Sequence, residues 1–443
     1  MKNYLLIFYG ILLSFQLNAQ ESISLSLDQA IDYALKNSYA SINAARDIDA
    51  AKLKKWETTT IGLPQINASI DYQNWIKQQI TLIDFDLDGV NEEYIFTQKQ
   101  SMNATATLNQ LIFDGSYLVG LQSAKTYLKI SENAKEKTEL GIREAVINAY
   151  GNVLLTEESV LILEKNIATL QKNLDETIEI YKNGLAEEES VEQLQITLAS
   201  VKTQLSKTKN LKNIAYKMLN ITLGININTV LVLTNNLNQL AKENLNLGLL
   251  TNDLTVENHI DYKIAKNNER ANELLVKLEQ SKALPTLSSF INFAYVGYGE
   301  EFDFTKKDQK WFDSSLLGVS LNIPIFSSLA RSSRTQQAKI ELEKAKTNLT
   351  ETEQKLQLQL ATAKTDYNFS IEELETSKQN LALAERIEKK QQIKFFEGLS
   401  TSFELTEAQR QLYTMQQNYL QSMLQLIANK AALDNALNTP INN

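Results

Sequence analysis

Leu108-Asn109-Gln110-Leu111-Ile112-Phe113-Asp114-Gly115 ends an alternating segment and opens a long helical one, and it occurs twice. Half the chain later it returns as Leu321-Asn322-Ile323-Pro324-Ile325-Phe326-Ser327-Ser328. Tyr181-Lys182-Asn183-Gly184-Leu185-Ala186 likewise returns as Phe395-Phe396-Glu397-Gly398-Leu399-Ser400, with Gln195 matching Gln409 and Leu223 matching Leu437. Upstream, 37–64 matches 258–285 at a slightly larger spacing, so the second copy has lost a few residues between its Pro and its Phe. A period this long exceeds the roughly 20–50 residues of a solenoid unit. The chain is a duplicated half-protein.

Working outward from the repeated stretch, the segment before it has a period of two. Ile66, Ala68, Ile70 and Tyr72 alternate with Asn67, Ser69, Asp71 and Gln73; Met102, Ala104, Ala106 and Leu108 alternate with Ser101, Asn103, Thr105 and Thr107. In the second copy Ile291, Phe293 and Tyr295 share one side, and Leu317, Val319, Leu321 and Ile323 alternate with Gly318, Ser320 and Asn322. Segments of about ten residues, apolar on one side and small-polar on the other, have the pattern of transmembrane β-barrel strands; a half-buried sheet in a soluble domain shares the alternation. Four strands cannot close a barrel alone, so the reading requires other copies to pair their edges.

The segment after it is helical. Val160, Leu163, Ile167, Leu170, Leu174, Ile178 and Tyr181 recur by threes and fours, as do Leu349, Leu356, Leu360, Ala363, Tyr367, Ile371 and Leu374. These stripes predict helices packing as coiled coils over about 116–181 and 329–395, each roughly 100 Å long at 1.5 Å per residue. No Pro falls between Pro64 and Pro285 to interrupt them. Gly184 and Gly398 suit left-handed caps, after which helices return over about 188–223 and 402–437.

The chain opens with Met1-Lys2-Asn3, an apolar run from Tyr4 to Leu17 and Leu17-Asn18-Ala19, which predicts a secretory signal cleaved after Ala19. With no Cys there is no disulfide or thiolate chemistry. One His, His259, excludes a His pair for zinc, and no Gly-rich phosphate loop occurs, so neither an enzyme nor a cofactor is expected. The net charge of −9 argues against nucleic acid as a partner.

Taken together, the Leu63-Pro64 and Leu284-Pro285 junctions, the endings Ile112-Phe113-Asp114-Gly115 and Ile325-Phe326, and the tips Asn183-Gly184-Leu185 and Glu397-Gly398-Leu399 resemble the TolC-type outer-membrane efflux family, in order and in duplicate. The resemblance implies an α+β membrane protein: a homotrimer whose long antiparallel helical hairpins form an α-barrel and whose four strands per protomer build a shared 12-stranded transmembrane β-barrel. It divides the chain into a signal peptide (1–19), a first repeat (20–224), an equatorial linker (225–252) and a second repeat (253–443). It implies an exit channel in the outer membrane of a Gram-negative cell, with a large periplasmic portion. The partners implied are outer-membrane lipid, a periplasmic membrane-fusion adaptor docking at Gly184, Leu185, Gly398 and Leu399, and an inner-membrane pump of RND, ABC or MFS type. The family's acidic gate falls on Glu404 and Glu407, while the basic residue expected two after the tip Gly is Ser400, so the latch is wired differently. A pore-less periplasmic adaptor is the competing reading; adaptors carry one helical hairpin between compact β domains, whereas this chain carries two.

Two acidic clusters remain. Glu187, Glu188 and Glu189 follow the first tip, as a helix start favoured by the helix dipole or as carboxylates at a tunnel mouth. Asp84-Phe85-Asp86-Leu87-Asp88-Gly89 resembles the opening of a calcium loop with Asp84, Asp86 and Asp88 as ligands, but its twelfth position is Ile95. Glu92 and Glu93 could supply oxygens instead, and a solvated acidic loop is the alternative.

Overall fold

Residues 23–84, 89 and 91–438 are described by the computed structural model; the signal segment 1–19 and Pro440 lie outside them. In chain order, β1 (Ile23–Leu25), α1 (Leu27–Asn37) and α2 (Tyr39–Thr60) lead to β2 (Gln65–Asn74). A loop bearing β3 (Thr81–Ile83) and β4 (Glu92–Tyr94) precedes β5 (Gln100–Phe113), α3 (Gly115–Lys182) and α4 (Glu188–Leu223). After β6 (Leu231–Leu233) and α5 (Leu237–Glu243), the series repeats as α6 (Ile260–Ser281), β7 (Thr286–Gly299), β8 (Trp311–Asn322), α7 (Ala330–Phe396) and α8 (Ser402–Ala436). No described helix is long and apolar enough to cross a membrane.

The long helices run to 68 and 67 residues. Their stripes turn inward as the spacing predicts: Val160, Leu170 and Leu174 on α3, and Leu349, Leu356, Ala363, Tyr367 and Leu374 on α7, are buried. Tyr181, at the end of the α3 stripe, is exposed.

By packing, the chain divides into two compact units that do not follow the repeats, since each takes segments from both copies. The first unit comprises the N-terminal part through Asp47, Glu132–Ile264 and Thr350 onward. Tyr150, Val153, Leu219, Leu223, Leu237, Leu426 and Ile427 form its main core, beside the parallel pair β1–β6. A second cluster, Leu170, Leu174, Leu194, Leu198 and Val201, zips α3 to α4; burying each such side chain stabilises by about 1.5–3 kcal/mol. Polar side chains meet between helices at defined heights: Asn166 Nδ2 donates to Gln416 Oε1 at 2.8 Å, Gln392 Nε2 to Asn173 Oδ1 at 2.7 Å, and Ser377 and Ser422 hydroxyls lie 2.6 Å apart. In a long apolar seam such pairs fix axial register, because sliding strands them without partners. Gly224 ends α4 with φ +79°, and a Cβ there would meet the Asn37 carbonyl oxygen at 2.2 Å.

The second unit comprises Ile48–Ser131 and Ala265–Leu349. Its four-stranded sheet has the order β2-β5-β7-β8 and is antiparallel throughout, so β2 and β8 are its outer strands. The duplicated strand-to-helix junction is built in two ways. At the first, Asp114 caps α3, its Oδ1 accepting from Ser116 N at 2.6 Å and Tyr117 N at 3.2 Å. At the second, Ser328 and Leu329 take left-handed conformations (φ 47° and 66°), and the Arg331 guanidinium donates to the carbonyls of Pro324 at 2.8 Å and Ile325 at 3.2 Å.

His259 is buried and stands just before α6 rather than within it, its Nδ1 accepting from Asp261 N at 3.1 Å. Its repeat counterpart Ser38 holds the same place before α2, its Oγ accepting from Ser41 N at 3.3 Å. Burial holds the His259 pKa below its ordinary value, Asp261 opposing and Lys137 and Lys263 reinforcing the shift. A depressed folded pKa means the unfolded chain takes the proton first, so this contribution is intact above the unfolded value of about 6.5 and is lost as pH falls below it. Thermal melting followed by circular dichroism should therefore show an acid-side loss of Tm between pH 7 and 5 that is smaller in His259→Gln. The Tyr367 hydroxyl donates to Asn244 O at 2.7 Å and accepts from Asn246 N at 2.9 Å. Tyr367→Phe should lower stability by about 1–3 kcal/mol, read as a fall in Tm at neutral pH, because it leaves two backbone groups unpaired.

Candidate functional site

Cross-strand partners share a face, so the register assigns every strand residue to one of two surfaces. On one face Ile66, Leu108, Ile291 and Leu317 form a row across all four strands. Ile70, Phe293, Tyr295, Leu317, Val319 and Leu321 on that face are all more than half exposed. The opposite face carries Asn67, Thr107 and Asn292 in one row and Ser69, Thr105 and Ser314 in another, with Asn292 Nδ2 donating to Thr107 Oγ1 at 2.9 Å. Apolar side chains interrupt this face on β7 and β8: Leu316 lies opposite Asn292, Phe312 lies opposite Val296, and the Phe290 ring closely covers Gly318. The alternation read from the sequence is thus physically two-sided.

At the end of the sheet beside the β7–β8 loop lies an aromatic cluster that the sequence reading did not single out. The Tyr72 and Phe302 rings are 5.4 Å apart, Phe302 and Phe304 5.5 Å, and Phe304 and Trp311 6.3 Å. The signal was there in the density of aromatic residues between Tyr295 and Phe312, but only the pairing of β7 with β8 brings Trp311 back beside the others.

Both hairpin tips close with the same backbone device. Gly184 (φ 71°) and Gly398 (φ 73°) are left-handed. Leu185 N donates to Ile180 O at 3.1 Å and Leu399 N to Lys394 O at 2.8 Å, the six-to-one bond of a Schellman turn. The leucines are left outside, 80% and 73% exposed. Side chains around the two turns differ. The first carries Glu187, Glu188 and Glu189, all exposed, with Glu187 at the N-cap and the other two in the first turn of α4. The second presents Phe403, 69% exposed, in the first turn of α8. The matched glutamines also part company, Gln195 being exposed and Gln409 buried.

Glu404 and Glu407 are exposed and one turn apart on α8. Glu404 closes a capping box with Thr401, its Oε2 accepting from Thr401 N at 2.9 Å and from Ser400 Oγ at 2.7 Å. These bonds hold its carboxyl below the usual carboxylate range. Glu407 is shifted the same way by Arg410, which binds it through Nε at 3.0 Å and Nη2 at 2.6 Å. Ser400, standing where a basic residue was expected, and Arg410, missed in the sequence despite its three-residue spacing from Glu407, are therefore the immediate partners of the two carboxylates.

Of the calcium-loop residues, Asp84 accepts from Gly89 N at 2.9 Å, with Gly89 at φ 88°. Asp86 and Asp88 lie outside the described residues, and among those described no cluster of three metal-ligating side chains occurs.

Residues 254–439 match the family of outer membrane efflux proteins. That match lies within the second half of the chain. No curated protein matches the sequence. Among solved structures, the fold is shared with VceC of Vibrio cholerae at 16% identity and TM-score 0.70, over 93% of this chain and 95% of that one. CmeC of Campylobacter jejuni matches at 15% and 0.73, over 93% and 85%. The open state of MtrE of Neisseria gonorrhoeae matches at 15% and 0.69, over 93% and 88%. The first repeat, outside the family match, is thus included in the shared fold.

Outer-membrane lipid would be a solvent for the exposed apolar sheet face. Ile70→Arg and Val319→Arg should each destabilise membrane assembly by about 2–4 kcal/mol at midplane depth, measured as loss of folded protein in outer-membrane fractions. Asn103→Arg and Ser320→Arg, on the polar face, should be tolerated; equal tolerance on both faces would remove the strands from lipid.

Proposed function

We propose that this protein is the passive exit duct of a tripartite efflux pump or type I secretion system, working as a homotrimer. The observation that carries the reading is the two-faced sheet: an apolar surface fit for hydrocarbon, a polar surface fit for a water-filled lumen, and outer strands that need partners. In hydrocarbon an unpaired strand edge costs several kcal/mol per backbone group, so three copies sharing one barrel satisfy what one copy cannot. The aromatic cluster around Tyr72 and Trp311 serves as part of an interfacial girdle. The repeat boundaries at 224 and 253 then separate two structurally similar halves joined by an equatorial segment.

The tips form the periplasmic end. Gly184, Leu185, Gly398 and Leu399 offer a membrane-fusion adaptor two rigid turns with an apolar side chain on each, and an inner-membrane pump supplies the energy. Glu404 and Glu407 line the constriction. In a single chain their hydrogen bonds lower both pKa values; threefold symmetry at the axis would set six carboxylates against one another, which opposes that lowering and concentrates cations. Rings of acidic side chains give cation selectivity.

The test is conductance in planar bilayers. The wild-type pore should be cation-selective, of low conductance and blocked by multivalent cations. Glu404→Gln with Glu407→Gln removes the charges while retaining the capping-box geometry that Gln supports. This variant should still form trimers, while its cation-over-anion permeability ratio falls toward one and its block weakens. Unchanged selectivity and block would move the constriction elsewhere, with Glu187, Glu188 and Glu189 next in line. Absence of any pore would defeat the channel reading itself.

A further inference from the structure

The sheet face that is polar along β2 and β5 turns aromatic at the loop end of β7 and β8. Tyr298 lies opposite Ser101 on that face. Phe312 lies opposite Val296, and Val296 shares a side with Tyr298 because strand side chains alternate. The two rings stand 6.1 Å apart, tilted by 47°, and are 47 and 57% exposed. They form one wall of a cavity of about 500 Å³ that Asp303, Lys306, Asp308 and Lys310 of the β7–β8 loop also line. That volume lies within the roughly 300–1,000 Å³ of small-molecule sites.

The loop is held in place as the other wall. On the opposite, apolar face, Tyr72, Met102, Gly297 and Trp311 form a row across the strands. Gly297 has no side chain, and the Phe304 ring occupies the space above it: a Cβ there would meet Phe304 at 3.2 Å and Trp311 at 3.3 Å. Phe304 is thereby buried, and Phe302 packs edge-on against Tyr72. The aromatic side of the loop is thus pinned to one face of the sheet while its charged side rims the cavity on the other. Gln309 Nε2 ties the loop to the strands, donating to Tyr298 O at 3.1 Å and Lys310 O at 2.9 Å. Lys306 Nζ pairs with Asp303 at 2.6 Å. Two carboxylates and two ammonium groups line the cavity, so its rim offers both signs of charge and is balanced overall.

We infer that this cavity is a binding site for a small amphipathic molecule of no net charge. Its aromatic ring lies against Tyr298 and Phe312, and its charged groups meet the Asp and Lys side chains of the loop. Aromatic pairs attract in offset or edge-on arrangements, and a wall that is already fixed adds little ordering cost on binding. The setting of the site rests on the reading of the protein as a channel, in which the polar face borders the lumen and the cavity meets molecules as they pass.

The probe is Nε-dansyl-lysine, which joins a fused aromatic ring to a zwitterionic end and brightens in apolar surroundings. Titrated into the full-length protein in detergent, it should bind saturably above the micelle background. Phe312→Ala and Tyr298→Ala should each weaken binding about tenfold, compared at equal folded fraction by circular dichroism. Tyr298→Phe keeps the ring and Phe293→Ala lies on the apolar face, so both should bind as wild type does. Asp308→Lys makes the rim positive and should shift preference from dansyl-lysine toward the anionic dansylglycine. In planar bilayers the probe, added on the loop side, should interrupt current through wild-type pores and not through Phe312→Ala pores. Wild-type binding that fails to saturate, or equal affinity in wild type, Phe312→Ala and Tyr298→Ala, would overturn the site and leave the channel reading standing. Saturable binding that depends on Phe312, in a protein that forms no pore, would uphold the site and defeat the channel reading.

Discussion

Backbone N–H and C=O groups cannot be left unpaired in hydrocarbon, and most of this molecule follows from that constraint. The sheet has four antiparallel strands and β2 and β8 lie outermost; one surface is largely apolar, while the other is polar along β2 and β5 and carries Phe290, Leu316 and Phe312 on β7 and β8. Such a sheet is stable neither in water, where its apolar face would be bare, nor in lipid alone, where its edges would be. In lipid it would be stable once its edges were paired, and this would link membrane seating to the proposed assembly.

Duplication supplies similar elements, but each copy meets different surroundings. The strand-to-helix motif is capped by Asp114 in the first copy and held by left-handed Ser328 and Leu329 under Arg331 in the second. The residue ahead of the matched helices is Ser38 in one and the buried His259 in the other, and each accepts a hydrogen bond from the backbone that follows it. The tips keep one backbone turn and differ in side chains, glutamates beside Leu185 and Phe403 beside Leu399. Backbone geometry is thus shared between the copies where a turn requires it. Side chains have diverged where the two copies face different neighbours.

The acidic pair on α8 illustrates how context sets chemistry. A three-residue spacing puts Glu404 and Glu407 on one side of the helix, and that much follows from counting. That Glu404 also closes a capping box, and that Arg410 grips Glu407 with two nitrogens, depends on side-chain directions in the first turns of α8. Both carboxylates are therefore stabilised in their charged forms within a single chain.

Local pattern determined a great deal by itself. A period of two marked the four strands and their apolar faces, stripes of threes and fours marked the long helices, and glycines free to take the left-handed conformation marked the tips, because these features depend on neighbours a few residues away. Tertiary structure alone decided the rest. It ordered the strands as β2-β5-β7-β8, folded Trp311 back beside Tyr72 and Phe304, buried Gln409 while leaving Gln195 exposed, and divided the chain into units that cut across both repeats. It also buried Leu194 and Leu198 on α4 while leaving Ile196 and Ile214 of the same helix exposed. Periodicity records that a stripe exists, whereas only packing in three dimensions records whether anything covers it.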